Sequence, residues 1–353
     1  RFRSITPRTR VYAVVGWPVG HSLSPHAHNA AFDAFESPAG PDARAGFDGV
    51  YLPLPVPVPD APASSTPRAL NACESGPDAK PEASYVNLKA TLLELIDHPR
   101  LDFSGASVTV PHKEGLLRLA GGQRWEIDAL SAACGAANTL VIDREPHAAG
   151  SRPARIRVAN TDGPALADAL ASALPLPLAQ VRVAILGAGG AARAAAAELL
   201  QRGSTVVIYN RTRARADALV DDIRAALPGA PGKLVAAEWD ALARSCCHAL
   251  VNCTPVGMAG GPAPSASPVA PDVLRSCAAG ADTPPVVMDT VYRPLETPLL
   301  RAARDAGLPT VDGVAMFVRQ AEAQSALWTG RPPPPGLMDR VVRARLKADS
   351  VTS

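Results

Sequence analysis

Little in this chain suits metal binding or a disulfide framework. Its six cysteines, Cys73, Cys134, Cys246, Cys247, Cys253 and Cys277, include no Cys-x-x-Cys pair and no histidine at ligand spacing. That predicts no metal and a reducing compartment. Charge of one sign is also lacking: the net charge is +2, with bases scattered among acids, so neither nucleic acid nor a membrane surface is an expected partner. No apolar run of about 18 residues exists to cross a bilayer, and no basic-apolar-small leader opens the sequence, so a soluble, cytoplasmic protein is expected. Residue 1 is arginine rather than methionine, which predicts a processed chain or a piece of a longer polypeptide.

What is present is enough for two cores. At 353 residues, with 47% apolar and 19% charged residues, the chain exceeds the roughly 100 to 200 residues of one domain. Two domains imply a cleft, and a small molecule is the default partner. In the first half, Val11 to Val15 reads as a buried strand. Ser24-Pro25 then opens a helix through Phe35, with proline in its first turn. Tyr51 to Leu54 reads as a strand, Tyr85 to His98 as a helix, and Ser107 to Val110 as a strand ending at Pro111. Residues 53–82 are rich in proline, alanine and serine and read as an inserted, largely unstructured loop.

The second half alternates more regularly. Strands Val181 to Leu186, Thr205 to Tyr209, Ala249 to Asn252 and Val286 to Asp289 are spaced by helices Ala191 to Gln201, Thr212 to Leu227 and Thr297 to Ala306. Short apolar strands separated by amphipathic helices predict an α/β fold with a parallel sheet covered on both faces. Two helices, Val314 to Trp328 and Met338 to Lys347, lie beyond the pattern.

After the first of these strands comes Gly187-Ala188-Gly189-Gly190-Ala191-Ala192, leading straight into a helix. Small residues there permit a tight turn, close approach of backbone to a pyrophosphate, and close helix packing, while the helix N-terminus supplies N–H groups to phosphate. A dinucleotide is therefore the expected cofactor. At the end of the next strand, where a site for NAD wants an acid, the chain reads Tyr209-Asn210-Arg211-Thr212-Arg213-Ala214-Arg215. Guanidinium groups bind phosphate through bidentate, charge-assisted bonds, so Arg211, with Arg215 or Arg213, suits the 2′-phosphate of NADP.

Three further segments carry a resemblance: Gly16 to Pro25 (GWPVGHSLSP), Ser107 to Lys113 (SVTVPHK), and Asn138-Thr139 with Asn160-Thr161-Asp162-Gly163. Together with the glycine turn, the Asn-Arg-Thr turn, Asp289 to Tyr292 and Gly313 to Gln320, they closely resemble the shikimate dehydrogenase family, with its H-S-x-S-P, V-T-x-P-x-K and N-T-D-G signatures. Ser107 in place of a common asparagine, and the ending QSALWTG, are similar to the C-terminal domain of the fungal-type pentafunctional AROM polypeptide. Other enzyme domains of a parent polypeptide are then possible partners.

The resemblance implies NADP-dependent, reversible reduction of 3-dehydroshikimate to shikimate, in the pathway to aromatic amino acids. It implies a substrate domain over residues 1–160 with the returning helices 313–353, a Rossmann-type NADP domain over 161–312, and the active site in the cleft between them. Lys113 is implied as the acid-base group beside Asp162, which suits the chemistry: an ammonium stabilises and protonates the alkoxide left by hydride addition, and a carboxylate orients it. Ser22 and Ser24 are implied to hold the substrate carboxylate, although Ser24 could instead cap its helix. Thr109, Asn138, Gln320 and Tyr292 are implied to contact the ring, with a core role competing for Tyr292. Gly187, Ala188, Gly189, Gly190, Ala191, Asn210, Arg211, Thr212, Arg215 and Gly313 are the expected cofactor contacts. His21 and His112 flank the motifs without being needed, and Cys253 reads as a small packing residue. Two alternatives stay open: a quinate or dual quinate/shikimate dehydrogenase using NAD, and a non-catalytic ligand sensor of the quinate-pathway repressor kind.

Overall fold

A computed structural model describes residues 5–6, 9–35, 47–58, 81–144, 153–245, 247–279 and 283–351. The first half runs β1 (Arg10–Gly16), α1 (Ser24–Ala34), β2 (Gly49–Pro55), α2 (Pro81–Asp97), β3 (Phe103–Val108), α3 (Lys113–Gln123), β4 (Glu126–Ile127), α4 (Ala129–Cys134), β5 (Thr139–Asp143) and β6 (Arg155–Ala159). These strands form one sheet in the order β2-β1-β3-β5-β6-β4. β1 is parallel to β2 and β3, whereas β5 is antiparallel to both its neighbours.

The second half runs α5 (Asp162–Ala171), β7 (Arg182–Leu186), α6 (Gly190–Gln201), β8 (Thr205–Tyr209), α7 (Arg213–Ala226), β9 (Lys233–Ala237), β10 (Ala249–Asn252), α8 (Pro271–Ala279), β11 (Val286–Asp289), α9 (Pro298–Asp305) and β12 (Thr310–Val311). All its pairings are parallel, in the order β12-β11-β10-β7-β8-β9. The order turns back between β7 and β10, and in open α/β sheets that switch point opens a crevice at the strand carboxyl ends. The chain is thus α/β, with an all-parallel Rossmann-type sheet following a mixed one.

Helices α10 (Gly313–Thr329) and α11 (Leu337–Val351) return to the first sheet. Phe317, Trp328, Met338 and Val342 share a core with Tyr12 of β1 and Phe32 of α1, and the Trp328 and Tyr12 rings stand 5.1 Å apart. Burial of side chains this size is worth roughly 1.5 to 3 kcal/mol each, which holds the returning helices in place.

Three expectations are corrected. The strand expected at Ser107 to Val110 begins at Phe103 and ends at Val108; Val110 is 67% exposed, in a turn closed by His112 N–H donating to the Thr109 carbonyl. Ser104 and Gly105 resemble a turn in composition, but β3 is central and buried along its whole length, and that context overrides local preference. Ser24 is not a cap, since Leu23 takes that position and the Ser24 N–H is met by Ser22 Oγ at 3.3 Å. The proline-rich loop is shorter than 53–82, because β2 runs to Pro55 and α2 starts at Pro81; positions 59–80 lie outside the described residues.

Candidate active site

Lys113 is the first residue of α3 and Asp162 the first of α5, so two helix starts facing each other bring the pair together. Lys113 Nζ donates to Asp162 Oδ2 at 2.6 Å, with side chains 18% and 8% exposed. Asn160 shapes the second helix start: its Oδ1 accepts from the N–H groups of Asp162 and Gly163 at 3.0 and 3.3 Å, and its Nδ2 donates to the Ala136 carbonyl at 2.9 Å. In the Asn-Thr-Asp-Gly signature Thr161 is thus the N-cap, and the Asn160 carboxamide before it accepts from the first two helical N–H groups, so that the helix start presents a carboxylate.

Of the expected ring contacts, Asn138 adjoins the same helix start. Asn138 is buried beside Thr161, donating from Nδ2 to Thr161 Oγ1 at 3.0 Å and accepting on Oδ1 from Thr161 N–H at 2.9 Å. Thr109 lies past the end of β3, its N–H on the Val15 carbonyl at 2.9 Å. Ser22 and Ser24 lie at the start of α1, and Ser24 adjoins the hydroxyl of Tyr51. Gln320 on α10 turns its Nε2 onto the Phe317 carbonyl of its own helix at 3.0 Å. Tyr292 stands 5.0 Å from the Phe317 ring, and burial pushes its hydroxyl pKa up.

Three polar residues around this cluster carry no site role in the sequence reading: Tyr51, Thr139 and Gln324. The Tyr51 hydroxyl donates to Ser107 Oγ at 2.7 Å, and Ser107 Oγ to Gln324 Oε1 at 2.6 Å. Gln324 Nε2 donates to Thr139 Oγ1 and to the Asn138 carbonyl at 3.0 and 3.2 Å. Only the Asn-Thr dipeptide offered a local signal; the other partners are 56 to 217 positions apart. His112 was expected at most to line the cleft, yet it is buried, with Nε2 donating to the Val56 carbonyl at 2.9 Å and Nδ1 meeting Ser84 Oγ at 3.2 Å. It fastens β2 and α2 beside Lys113. Burial pushes the Cys253 thiol up, with Asp289 and Asp162 adding to the effect, which disfavours the reactive thiolate.

Of the expected cofactor contacts, Gly187 to Ala191 follow β7 at the switch point. Gly187 has φ of +106°, and a Cβ there would meet Cys253 and Thr254 at the end of β10. Ala188 leads to Gly189, which caps α6 and where a Cβ would meet nothing among the described residues, while a Cβ at Gly190 would meet Lys113 Cδ at 4.0 Å. The free N–H groups that open α6 through Ala191 thus lie within reach of the lysine, and the room and donors fit a dinucleotide pyrophosphate. Beyond β8, Asn210 Nδ2 donates to the Thr212 carbonyl at 2.8 Å and shapes the turn into α7. Arg211 and Arg215 are exposed and make no side-chain ion pair among the described residues. Arg213 differs, being held by Asp217 at 2.9 Å and Glu238 at 2.8 Å, which withdraws it from the 2′-phosphate role. Gly313 opens α10 where a Cβ would come within 2.4 Å of the Val291 carbonyl oxygen, a close packing contact. No group of His, Cys, Asp and Glu able to hold a metal occurs among the described residues.

Residues 169–230 match the family model described as shikimate / quinate 5-dehydrogenase, and residues 313–343 the shikimate 5′-dehydrogenase C-terminal domain. The shikimate dehydrogenase (NADP(+)) of Methanocella arvoryzae is 35% identical over 95% of this chain and 99% of its own. This chain belongs to the shikimate dehydrogenase family. Among solved structures, shikimate 5-dehydrogenase of Thermus thermophilus in complex with NADP(H) and shikimate superposes with a TM-score of 0.67 at 29% identity, covering 95% of this chain and 99% of that one. Quinate dehydrogenase of Corynebacterium glutamicum in complex with NAD reaches 0.68 at 26% identity, covering 96% and 99%.

Proposed function

We infer that the chain is an NADP-dependent oxidoreductase that interconverts 3-dehydroshikimate and shikimate. The carrying observation is the Lys113–Asp162 pair, closed at 2.6 Å and standing against the glycine turn of the dinucleotide site. NADPH, when bound, supplies the hydride. The oxygen left negative at the reduced carbon is stabilised by the Lys113 ammonium and takes its proton from Nζ; Asp162 holds that ammonium in place. In the oxidative direction Lys113, deprotonated, takes the hydroxyl proton back.

Ser22 and Ser24 offer hydroxyls to the substrate carboxylate, and Thr109, Asn138, Gln320 and Tyr292 surround the ring. Gly187 to Ala191 receive the pyrophosphate. Arg211 and Arg215, free of acidic partners, take the 2′-phosphate, with Asn210 and Thr212 forming the turn beneath it and Gly313 closing the far side. The division we propose is a substrate domain of 1–160 with 313–353, and a cofactor domain of 161–312.

Replacing Lys113 with alanine tests the reading. Shikimate-dependent NADP reduction should lose about a hundredfold or more in kcat, with a smaller change in KM and a lowered melting temperature, because Asp162, 8% exposed, loses its charge partner; undiminished turnover by the folded variant would sink the assignment. Rates with shikimate or quinate, each with NADP or NAD, separate this activity from its nearest competitor. A chain that binds shikimate and turns over none of the four pairs would instead be a sensor.

A further inference from the structure

The hydrogen bonds running from Tyr51 to Asn138 have one possible direction. A backbone carbonyl can only accept and a backbone N–H can only donate, so each fixes the orientation of an amide side chain that faces it. At one end, the Asn138 carbonyl receives Gln324 Nε2 at 3.2 Å, which turns Gln324 Oε1 toward Ser107. Ser107 must then spend its proton on Gln324, and Tyr51 must donate to Ser107. On the other side of Gln324, Thr139 Oγ1 accepts from Nε2 at 3.0 Å and passes its own proton to Asn138 Oδ1 at 2.7 Å. At the far end, Thr161 N–H donates to that same Oδ1 at 2.9 Å.

Both termini therefore demand the same orientation of Asn138. Its oxygen is saturated from inside the protein, and one Nδ2 hydrogen goes to Thr161 Oγ1 at 3.0 Å, leaving the other Nδ2 hydrogen. The members are buried, so a reversed amide would leave donors facing donors with no water to compensate. The Tyr51 end is held by its neighbours: His28 stacks on the ring at 4.4 Å, and Asn29 brackets the Tyr51 backbone at 2.8 and 3.0 Å.

We propose that Gln324 and Thr139, with Ser107 and Tyr51 behind them, are positioning residues that lock the Asn138 carboxamide so that it meets a substrate oxygen only as a hydrogen-bond donor. The inference rests on the reading that Asn138 faces the substrate ring. A ring hydroxyl at this place receives an N–H from Asn138 and keeps its own proton for an acceptor. The Asp162 carboxylate, one residue beyond Thr161, is the acceptor nearest in sequence. Polyols with a hydroxyl here are selected over analogues without one, because the locked N–H would otherwise stay unpaired.

Steady-state kinetics of the intact chain with shikimate and NADP, on Asn138→Ala, Asn138→Asp, Thr139→Val, Thr139→Ser and Gln324→Glu, test this, with melting temperatures recorded alongside. Thr139→Val, Gln324→Glu and Asn138→Asp should each raise KM for shikimate about tenfold or more, as expected when a buried polar partner is lost, with KM for NADP unchanged. Thr139→Ser, which keeps the hydroxyl, should restore KM to within twofold of the parent. If Asn138→Ala raises KM while Asn138→Asp and Thr139→Val do not, the locked polarity is wrong although the site assignment stands. If Asn138→Ala also leaves KM unmoved, Asn138 does not face the ring and both readings fall.

Discussion

Around β3 and β5 the polar side chains are buried and hydrogen-bonded to one another, whereas around β7 and β8 the outward groups are backbone amides, open glycines and exposed guanidinium groups. In the first region Tyr51, Ser107, Gln324, Thr139 and Asn138 form one connected set before any ligand arrives. In the second, β7 and β8 bury mainly aliphatic side chains, such as Val183, Ile185, Val206 and Ile208, and on the reading proposed above recognition falls to the loop after β7 and to Arg211 and Arg215. A ring bearing several hydroxyls needs donors and acceptors set in advance. A pyrophosphate needs room, amide hydrogens and positive charge. Substitutions in the first region should therefore disturb both stability and substrate selection, and those in the second only cofactor affinity.

The largest expected effect breaks the junction between the two regions. Asp162→Asn should lower turnover about a hundredfold or more. It should also lower the melting temperature, because Lys113, only 18% exposed, loses its charge partner. A variant with parental turnover would show that the pair does not carry the proton chemistry.

Next, replacing Arg211 and Arg215 together with serine should raise KM for NADP roughly ten- to hundredfold, the scale of lost charge-assisted bonds. Use of NAD and the melting temperature should not change, and the loss should shrink at high salt. A fall in stability would erase the contrast between the regions.

A stability measurement sharpens the other side. His28 is fully buried, and burial pushes its pKa from 6.5 down to about 3. Between those values the unfolded chain binds a proton that the folded chain refuses, so stability is full above pH 6.5 and falls as pH drops, by about 1.4 kcal/mol per unit from this group. Urea titrations from pH 7 to pH 4 should show that slope, and His28→Phe should flatten it. The smallest effect expected is at Arg213. Alanine there should change KM for NADP less than twofold, since Asp217 and Glu238 already occupy the guanidinium.

Legibility differed between the same two regions. In the parallel sheet, period and punctuation sufficed: β8, β10 and β11 fall where the apolar runs stand, and α6 starts one residue before its expected position. The edge strands β9 and β12 were not anticipated: β9 fully buries only Leu234 of its five residues, and β12 has only two residues. In the mixed sheet the catalytic motifs were visible because each is a local string, and Lys113 and Asp162 were reachable through them. The polar chain was not, since Tyr51 and Gln324 look like any strand tyrosine and helix glutamine until the fold brings them to Ser107. The Arg213–Glu238 pair was hidden for a related reason: the two residues are 25 positions apart.

His112 holds the Val56 carbonyl and the Ser84 hydroxyl on the two nitrogens of one ring, and Asn87 Nδ2 donates to the Pro57 carbonyl at 3.0 Å, so the chain leaves the sheet and re-enters a helix at two tied ends next to Lys113. The cost of closing a loop rises only with the logarithm of its length once its ends are joined. With its ends fixed in this way, the position should tolerate changes in the length of the segment between them at a small entropic cost, as the melting temperature of a shortened variant would show.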